Sequence, residues 1–285
     1  MKSDKKLIIV IIINFAISVL QVIGGFISGS LALISDSVHN FGDTLSLAIS
    51  LVAVTIGKKK RDLSYTYGYK RAEILGATVN SAIIIMVAFY IGKEAVIKLL
   101  NPKPVQGILM LSFGLIGIIA NAFSALLLYR DSKDKLIIKS AFLHLLTDSL
   151  TSVSVVIGSI FIIAFKIYIF DSIITLFVCI FIFRESIKLL IESVEILMQK
   201  APPIIKINDL KNALNKVEGV DDIHHIHMWK MNDSDIYFEC HAKIKDNFDL
   251  KKIDFIREKM EDILINKFSI KHTTIQFEIS CCKRK

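Results

Sequence analysis

The chain is poor in the residues that staple or catalyse. Its four cysteines, Cys179, Cys240, Cys281 and Cys282, give no extracellular disulfide framework, and no CxxC pair of a zinc knuckle occurs among them. No HExxH, no glycine-rich phosphate loop and no Ser/His/Asp arrangement is evident, which removes the usual sequence marks of a hydrolase or a nucleotide-binding enzyme. A cleavable signal is missing as well: the first apolar run starts after only six residues, is long enough to span a bilayer and lacks a small-residue cleavage site, so it is expected to be the first helix. The formal charge of +8 does not point to nucleic acid, because the soluble tail is nearly balanced by count and lacks a basic face.

What the chain has in quantity is apolar surface. At 53% hydrophobic residues and a mean hydropathy of +0.55 it is too apolar for an ordinary soluble domain and suits a multi-span membrane protein. The apolarity is uneven. Long apolar runs continue to about Met198, and after Pro202-Pro203 the sequence becomes polar and alternating, which places a boundary at 199–206 between a membrane domain, 1–200, and a tail domain, 201–285.

Six runs are long enough to cross, at roughly 20 residues each: 7–28, 31–56, 74–100, 108–129, 136–165 and 167–198. The third and sixth exceed what a bilayer needs and turn polar at one end, at Lys93, Glu94 and Lys98 and at Arg184, Glu185 and Lys188. Basic residues set the orientation: Lys2, Lys5, Lys6, the run from Lys58 to Arg61, and Arg130, Lys133, Lys135 and Lys139 share one side, while the opposite loops hold little beyond Lys103 and Lys166. Both termini are therefore expected in the cytoplasm.

Within the runs one pattern occurs twice, a His four residues ahead of an Asp: His39 with Asp43, and His144 with Asp148. A four-residue step returns a side chain to the same helix face, so each pair points an imidazole and a carboxylate at one spot. Ionisable side chains at membrane depth are costly and normally face a bundle interior or a wet cavity. A lone His of this kind is as readily a packing residue, but the duplication of a polar face is what a transport site between structural repeats requires.

The tail reads as a short amphipathic helix over 208–217, strands over 220–231 and 235–245 around a turn at Asn232-Asp233-Ser234, a helix over 250–268 and a strand over 271–279, an α+β domain. Five of the seven histidines lie there: His224, His225, His227, His241 and His272. Strand alternation puts His225 and His227 on one face and His224 on the other, so they are not expected to meet one ion together.

These residues carry a resemblance. The stretch Ser28-Gly-Ser-Leu-Ala-Leu-Ile-Ser-Asp-Ser-Val-His39, the loop Tyr65-Thr-Tyr-Gly-Tyr-Lys-Arg-Ala-Glu73, Asn121 in the fourth run, and the tail segments Val220-Asp-Asp-Ile-His-His-Ile-His-Met-Trp229 and His272-Thr-Thr-Ile-Gln-Phe-Glu278 together resemble the cation diffusion facilitator family. The resemblance covers essentially the whole chain. It implies a homodimer of six-helix protomers in the plasma membrane of a prokaryotic cell, each with a cytoplasmic α+β domain of metallochaperone-like (ferredoxin-like) fold. It further implies a secondary active, metal/proton antiporter that exports divalent metal by alternating access, with no organic cofactor and no enzymatic activity. Carried over, the transport site falls on His39, Asp43, His144 and Asp148, the version resembling zinc-preferring members, with cadmium and cobalt as alternative cargo. In the tail, His224, His241 and Glu278 would be ligands for a regulatory zinc; Gln276 and Asp254 stand where some relatives have His. Another departure is in the loop between the second and third runs: where some relatives carry two His for an extra metal site, this chain has Tyr65 and Tyr69, and only Asp62 remains.

Ligand chemistry agrees with zinc. Two imidazoles and two carboxylates suit a tetrahedral ion, and two carboxylates cancel its charge, which eases its passage at membrane depth. Zinc needs the unprotonated imidazole, and a free His titrates near pH ~6.5, so protons and metal compete for the same atoms. Two rivals remain at this stage. A membrane zinc hydrolase would need three protein ligands with an open position, whereas four close the sphere here; a tail metal sensor on a membrane anchor would not need buried His/Asp pairs.

Overall fold

The computed structural model describes residues 2–57, 62–129, 136–245 and 249–280. Six long helices come first: α1 (Lys2–Ser28), α2 (Leu31–Gly57), α3 (Ala72–Leu100), α4 (Gly107–Tyr129), α5 (Leu136–Phe165) and α6 (Ile169–Leu197). They lie on the six apolar runs, α1 beginning earlier than its run. The shortest has 23 residues and the longest 30, rises of roughly 34–45 Å against a hydrocarbon core of about 30 Å. By length and composition together, three stretches among the described residues qualify as membrane spans: Ile8–Ser28, Ala72–Leu100 and Gly107–Leu127. α6 turns charged from Arg184 onward.

The chain divides into two compact units, Met1–Thr55 with Gly76–Ile191, and Ile56–Leu75 with Glu192–Lys285. The first is inverted relative to a water-soluble fold. Leu126, Phe26 and Ile108 are 70% exposed or more, while Asp36, Ser152 and Gln21 are fully buried. Apolar side chains outward and polar ones inward is the arrangement hydrocarbon solvent selects, since polar groups have no partners in lipid and must find them inside. α4 packs on both α1 and α5.

A tight reversal at Gly29 and Ser30 joins α1 to α2. Gly29 has φ +72°, a left-handed conformation that costs glycine least. The first turn of α2 leaves backbone N–H groups without helical partners, and the carboxylate of Asp171 at the start of α6 takes them: it accepts from Leu31 N at 3.0 Å, Ala32 N at 3.2 Å and Ser30 Oγ at 2.6 Å. Lys98 of α3 donates to the Gly29 carbonyl at 2.8 Å. The start of α2, the helix of His39 and Asp43, is thus tied to two others.

In the second unit, α7 (Ile207–Leu214), β1 (Val220–Lys230), β2 (Ile236–Ile244), α8 (Leu250–Phe268) and β3 (His272–Glu278) follow in the expected order. The sheet runs β1-β2-β3, with β1 and β2 antiparallel and β2 and β3 parallel. A parallel pair needs a crossover, and α8 supplies it. Asp249 caps α8 by accepting from Lys252 N, and Ser269 ends it in a left-handed conformation, φ 58°. Ile256, Met260 and Leu264, one turn apart on α8, pack with Leu210 and Leu214 of α7 onto Ile223, Phe238 and Ala242. Cys240 belongs to this core, and burial pushes its thiol up to about 12, leaving it an inert packing group.

The α2–α3 loop folds within this unit. Asp62 accepts from Ser64 N, Tyr65 N and the Tyr69 hydroxyl, so the hydrogen bonds hold its carboxyl below the usual range. Tyr67 sets its ring edge-on to Tyr237, centroids 5.5 Å apart, and Lys70 pairs with Asp235 at 2.7 Å. The Lys70 hydrogen bond, helped by Lys271, holds the Asp235 carboxyl below its ordinary value, and Lys70 is raised in turn. A depressed carboxyl stabilises the fold above its unfolded pKa of ~3.9 and loses that contribution as pH falls through the folded value, while Lys70 keeps its part until pH rises past ~10.4. Asp235→Asn should therefore lower the melting temperature at pH 7 modestly, by the equivalent of at most about 1 kcal/mol for a pair still partly open to solvent. The gap between the melting curves of wild type and variant should shrink as pH falls through the folded value; a gap that does not change with pH would show that Asp235 acts through packing.

Candidate metal centres

α2 brings His39 and Asp43 onto one face because they are four residues apart, and α5 brings Asp148 against them. His39 Nδ1 lies 3.5 Å from Asp43 Oδ2, and His39 Nε2 lies 3.6 Å from Asp148 Oδ1. One ligand atom from each of the three falls within 4.8 Å of the others. Each ring nitrogen thus has a carboxylate oxygen at roughly the 3.3–3.6 Å that separates neighbouring ligands around a tetrahedral ion with bonds of ~2.0–2.2 Å, the two lying on opposite edges of the ring. His39 and Asp148 are buried and Asp43 is partly open. Phe181 of α6 meets the His39 ring edge-on at 5.7 Å, and Asn80 of α3 donates to the Gly42 carbonyl and to Ser46 Oγ, so α2 is braced on two further sides. His144 stands on α5 one turn before Asp148; its side chain lies outside the described residues.

A second cluster sits on the tail sheet. His241 Nδ1 is 2.7 Å from Glu278 Oε1, and His224 Nε2 is 3.4 Å from Glu278 Oε2. All three side chains offer an atom within 4.8 Å of the others and are partly buried. Sheet register explains the meeting: His224 pairs with His241 across β1 and β2, and His241 pairs with Gln276 of β3, two residues from Glu278 on the same face. Gln276 Nε2 donates to Glu278 Oε1 at 3.0 Å and so orients that carboxylate. Beside His224, the Lys211 ammonium 2.9 Å away holds the Asp222 carboxyl below its usual value.

One expectation fails here. Alternation separates His224 from His225, yet the His225 ring lies 4.7 Å from His241 and 4.8 Å from His227, and His224 also neighbours His241 at 5.6 Å. The cause is a bulge between His224 and His227, with His225 at φ 50°. An inserted residue in a strand puts two successive side chains on one face. Ile223 and Ile226 remain toward the core on either side, which leaves His224, His225 and His227 together on the open face.

Other candidates go elsewhere. Asp254 pairs with Arg257 on the exposed side of α8. Tyr65 and Tyr69 stack at 4.5 Å. Trp229 stacks on Tyr237 at 5.9 Å, a packing role. Cys281 and Cys282 lie outside the described residues. Sequence reading gave no role to Asp36 or Asp171, although a lone carboxylate in an apolar run is itself a signal.

Comparison with known proteins places both units. Residues 7–198 match the family model of the cation efflux transmembrane domain, and 202–280 that of the cation efflux protein cytoplasmic domain. The chain is 34% identical over 278 residues to the cadmium, cobalt and zinc/H(+)-K(+) antiporter of Bacillus subtilis, covering 97% of this chain and 89% of that protein. It is 31% identical over 264 residues to zinc transporter ZitB of Escherichia coli, covering 92% and 83%. To the metal cation efflux system protein CzcD of Cupriavidus metallidurans it is 31% identical over 283 residues, covering 99% and 89%.

The tail cluster generates its own test. Zinc at a hundredfold excess over its dissociation constant would stabilise a three-strand site by about 2.7 kcal/mol. Melts of the tail, residues 200–285, with and without zinc should show an upward shift in wild type that His241→Ala loses. Identical shifts in both would remove His241 from the site.

Proposed function

Because the chain belongs to the cation efflux family, the cation diffusion facilitators, we propose that it exports divalent metal, zinc foremost, from the cytosol in exchange for protons. The observation that carries this reading is His39 set between two carboxylates, one nitrogen toward Asp43 and the other toward Asp148. A doubly protonated ring donates toward both acids. A neutral ring offers one nitrogen's lone pair to a metal while its other N–H still points at a carboxylate. The second proton and the metal compete for that one nitrogen, so loading with one expels the other, which is the chemical requirement for antiport.

In this reading His144 is the fourth ligand, and α1 to α6 all cross the membrane, with residues 1–200 as the membrane domain and both termini in the cytoplasm. The bases flanking α2 and α5 support that orientation. Residues 201–285 form a cytoplasmic metallochaperone-like domain that pairs two protomers and binds a regulatory zinc at His224, His241 and Glu278. The name of the Bacillus relative supports cadmium and cobalt as further cargo. The protein is a carrier and not an enzyme: four ligands leave a bound ion no open position for an activated water.

Metal entry into sealed, dye-loaded vesicles tests the site. Asp148→Ala should abolish zinc flux in protein that inserts and dimerises, since the site loses a ligand and half its negative charge; flux near wild type would overturn the four-ligand reading. Selectivity is addressed separately. His39→Asp should raise the cadmium-to-zinc rate ratio, because exchanging a nitrogen for a carboxylate loosens the preference for small tetrahedral zinc. An unchanged or lower ratio would take selectivity away from position 39.

A further inference from the structure

One helical turn from the candidate transport ligands lies a second polar tier that the reading above does not use. Asp36 precedes His39 by three residues on α2, and Thr151 follows Asp148 by three on α5, so each shares a face with its ligand. The two meet: Thr151 Oγ1 is 2.8 Å from Asp36 Oδ1 and 2.8 Å from the backbone carbonyl of Asp148 itself. Asp36 Oδ2 accepts from Ser152 Oγ at 2.8 Å and from Gln21 Nε2 of α1 at 3.1 Å. Gln21 is fixed in turn, since Asn40, the residue after His39, donates to its Oε1 at 3.2 Å. α4 makes room for this: a Cβ at Gly117 would stand 2.4 Å from Gln21 Nε2. Asp36, Gln21 and Ser152 are wholly buried.

A carboxylate with three donors from two neighbouring helices has little freedom to shift, because leaving any of them unmade at this depth carries the full cost of a buried unsatisfied group. The tie is placed where it bears on the ligands. One hydroxyl touches both the α2 carboxylate and the α5 turn that carries Asp148, so the axial register of α2 against α5 is set one turn away from the 3.5 and 3.6 Å contacts around His39. Sliding either helix would break the tier before it opened the site.

Resting on the transport-site reading, we propose that Asp36 is a positioning residue for metal transport: through Thr151, Ser152 and Gln21 it holds α2 and α5 in the register that brings Asp43 and Asp148 to the same ion. It touches no metal. Its effect belongs on the affinity of the site and passes through the Thr151 hydroxyl.

Zinc uptake into vesicles, measured against zinc concentration, tests this. Thr151→Val, close in shape but without the hydroxyl, should raise the half-saturating zinc concentration by about 10–100-fold, the usual range for loss of a group that orients metal ligands, with the maximal rate little changed. Asp36→Ala should do the same, and Thr151→Ser should restore wild-type affinity. Half-saturation unchanged in Thr151→Val would overturn the proposal, as would a loss confined to the maximal rate, or a loss in Asp36→Ala without one in Thr151→Val. Should Asp36→Ala fail to insert, the Thr151 pair decides alone. Asp148→Ala run in parallel separates the two levels: an active Asp148→Ala sinks the transport site itself, whereas an inactive one beside a wild-type Thr151→Val sinks only the positioning role.

Discussion

A charge or hydrogen-bonding group held among apolar helices must find its partners inside the protein, and that constraint organises the first unit. Its outer surface is Phe26, Ile108 and Leu126; its inner surface is Asn, Gln, Ser, Thr and Asp. In water the inner set would be a liability. In hydrocarbon it supplies the specific contacts between helices, because apolar packing alone gives neighbouring helices little preference for one register over another. Among the described residues, the buried carboxylates Asp36, Asp148 and Asp171 show how such groups divide their work. Asp171 satisfies the open end of a helix, Asp36 joins helices to one another, and Asp148 faces an imidazole. Only the last faces a group that could trade a proton for a metal ion, as the proposed function requires.

The tail solves a different problem with different means. Its helices bury Leu210, Leu214, Ile256, Met260 and Leu264 against one side of a three-stranded sheet, which leaves the other side to carry polar chemistry. Register then does what helix periodicity does in the membrane unit: it lines up His224, His241 and Glu278 from three strands. Gln276 and Asp222 stand beside these groups as orienting partners, the kind of support that fixes a ring or carboxylate before any ion arrives.

Much of this was legible in the sequence, and the reasons are specific. The helices could be read because apolar runs of span length have few other interpretations, and the tail elements because their apolar residues recur at the helix and strand periods. His39 with Asp43 could be placed on one face from spacing alone. That Asp148 reaches His39 needed the resemblance or the structure, since spacing within a helix says nothing of which helix is next to it. The bulge at His225 was invisible because alternation assumes an unbroken ladder, and no glycine marks the break. Asp36 was hidden for another reason: its partners Gln21, Thr151 and Ser152 are scattered along the chain and become a set only when α1, α2 and α5 meet.

The Asp171 cap on α2 makes that helix a lever with a fixed end. Its first residue, Leu31, is clasped by α6, two residues after the left-handed turn at Gly29. His39 lies eight residues along, about 12 Å from the fulcrum at ~1.5 Å per residue, so a tilt of about 10° sweeps the imidazole through roughly 2 Å. That is a whole metal–ligand bond length. Because Asp36 lies between that fulcrum and His39, the same tilt would have to strain its bonds to Gln21, Thr151 and Ser152, so the swing of the ring is coupled to the contacts of α2 with α1 and α5.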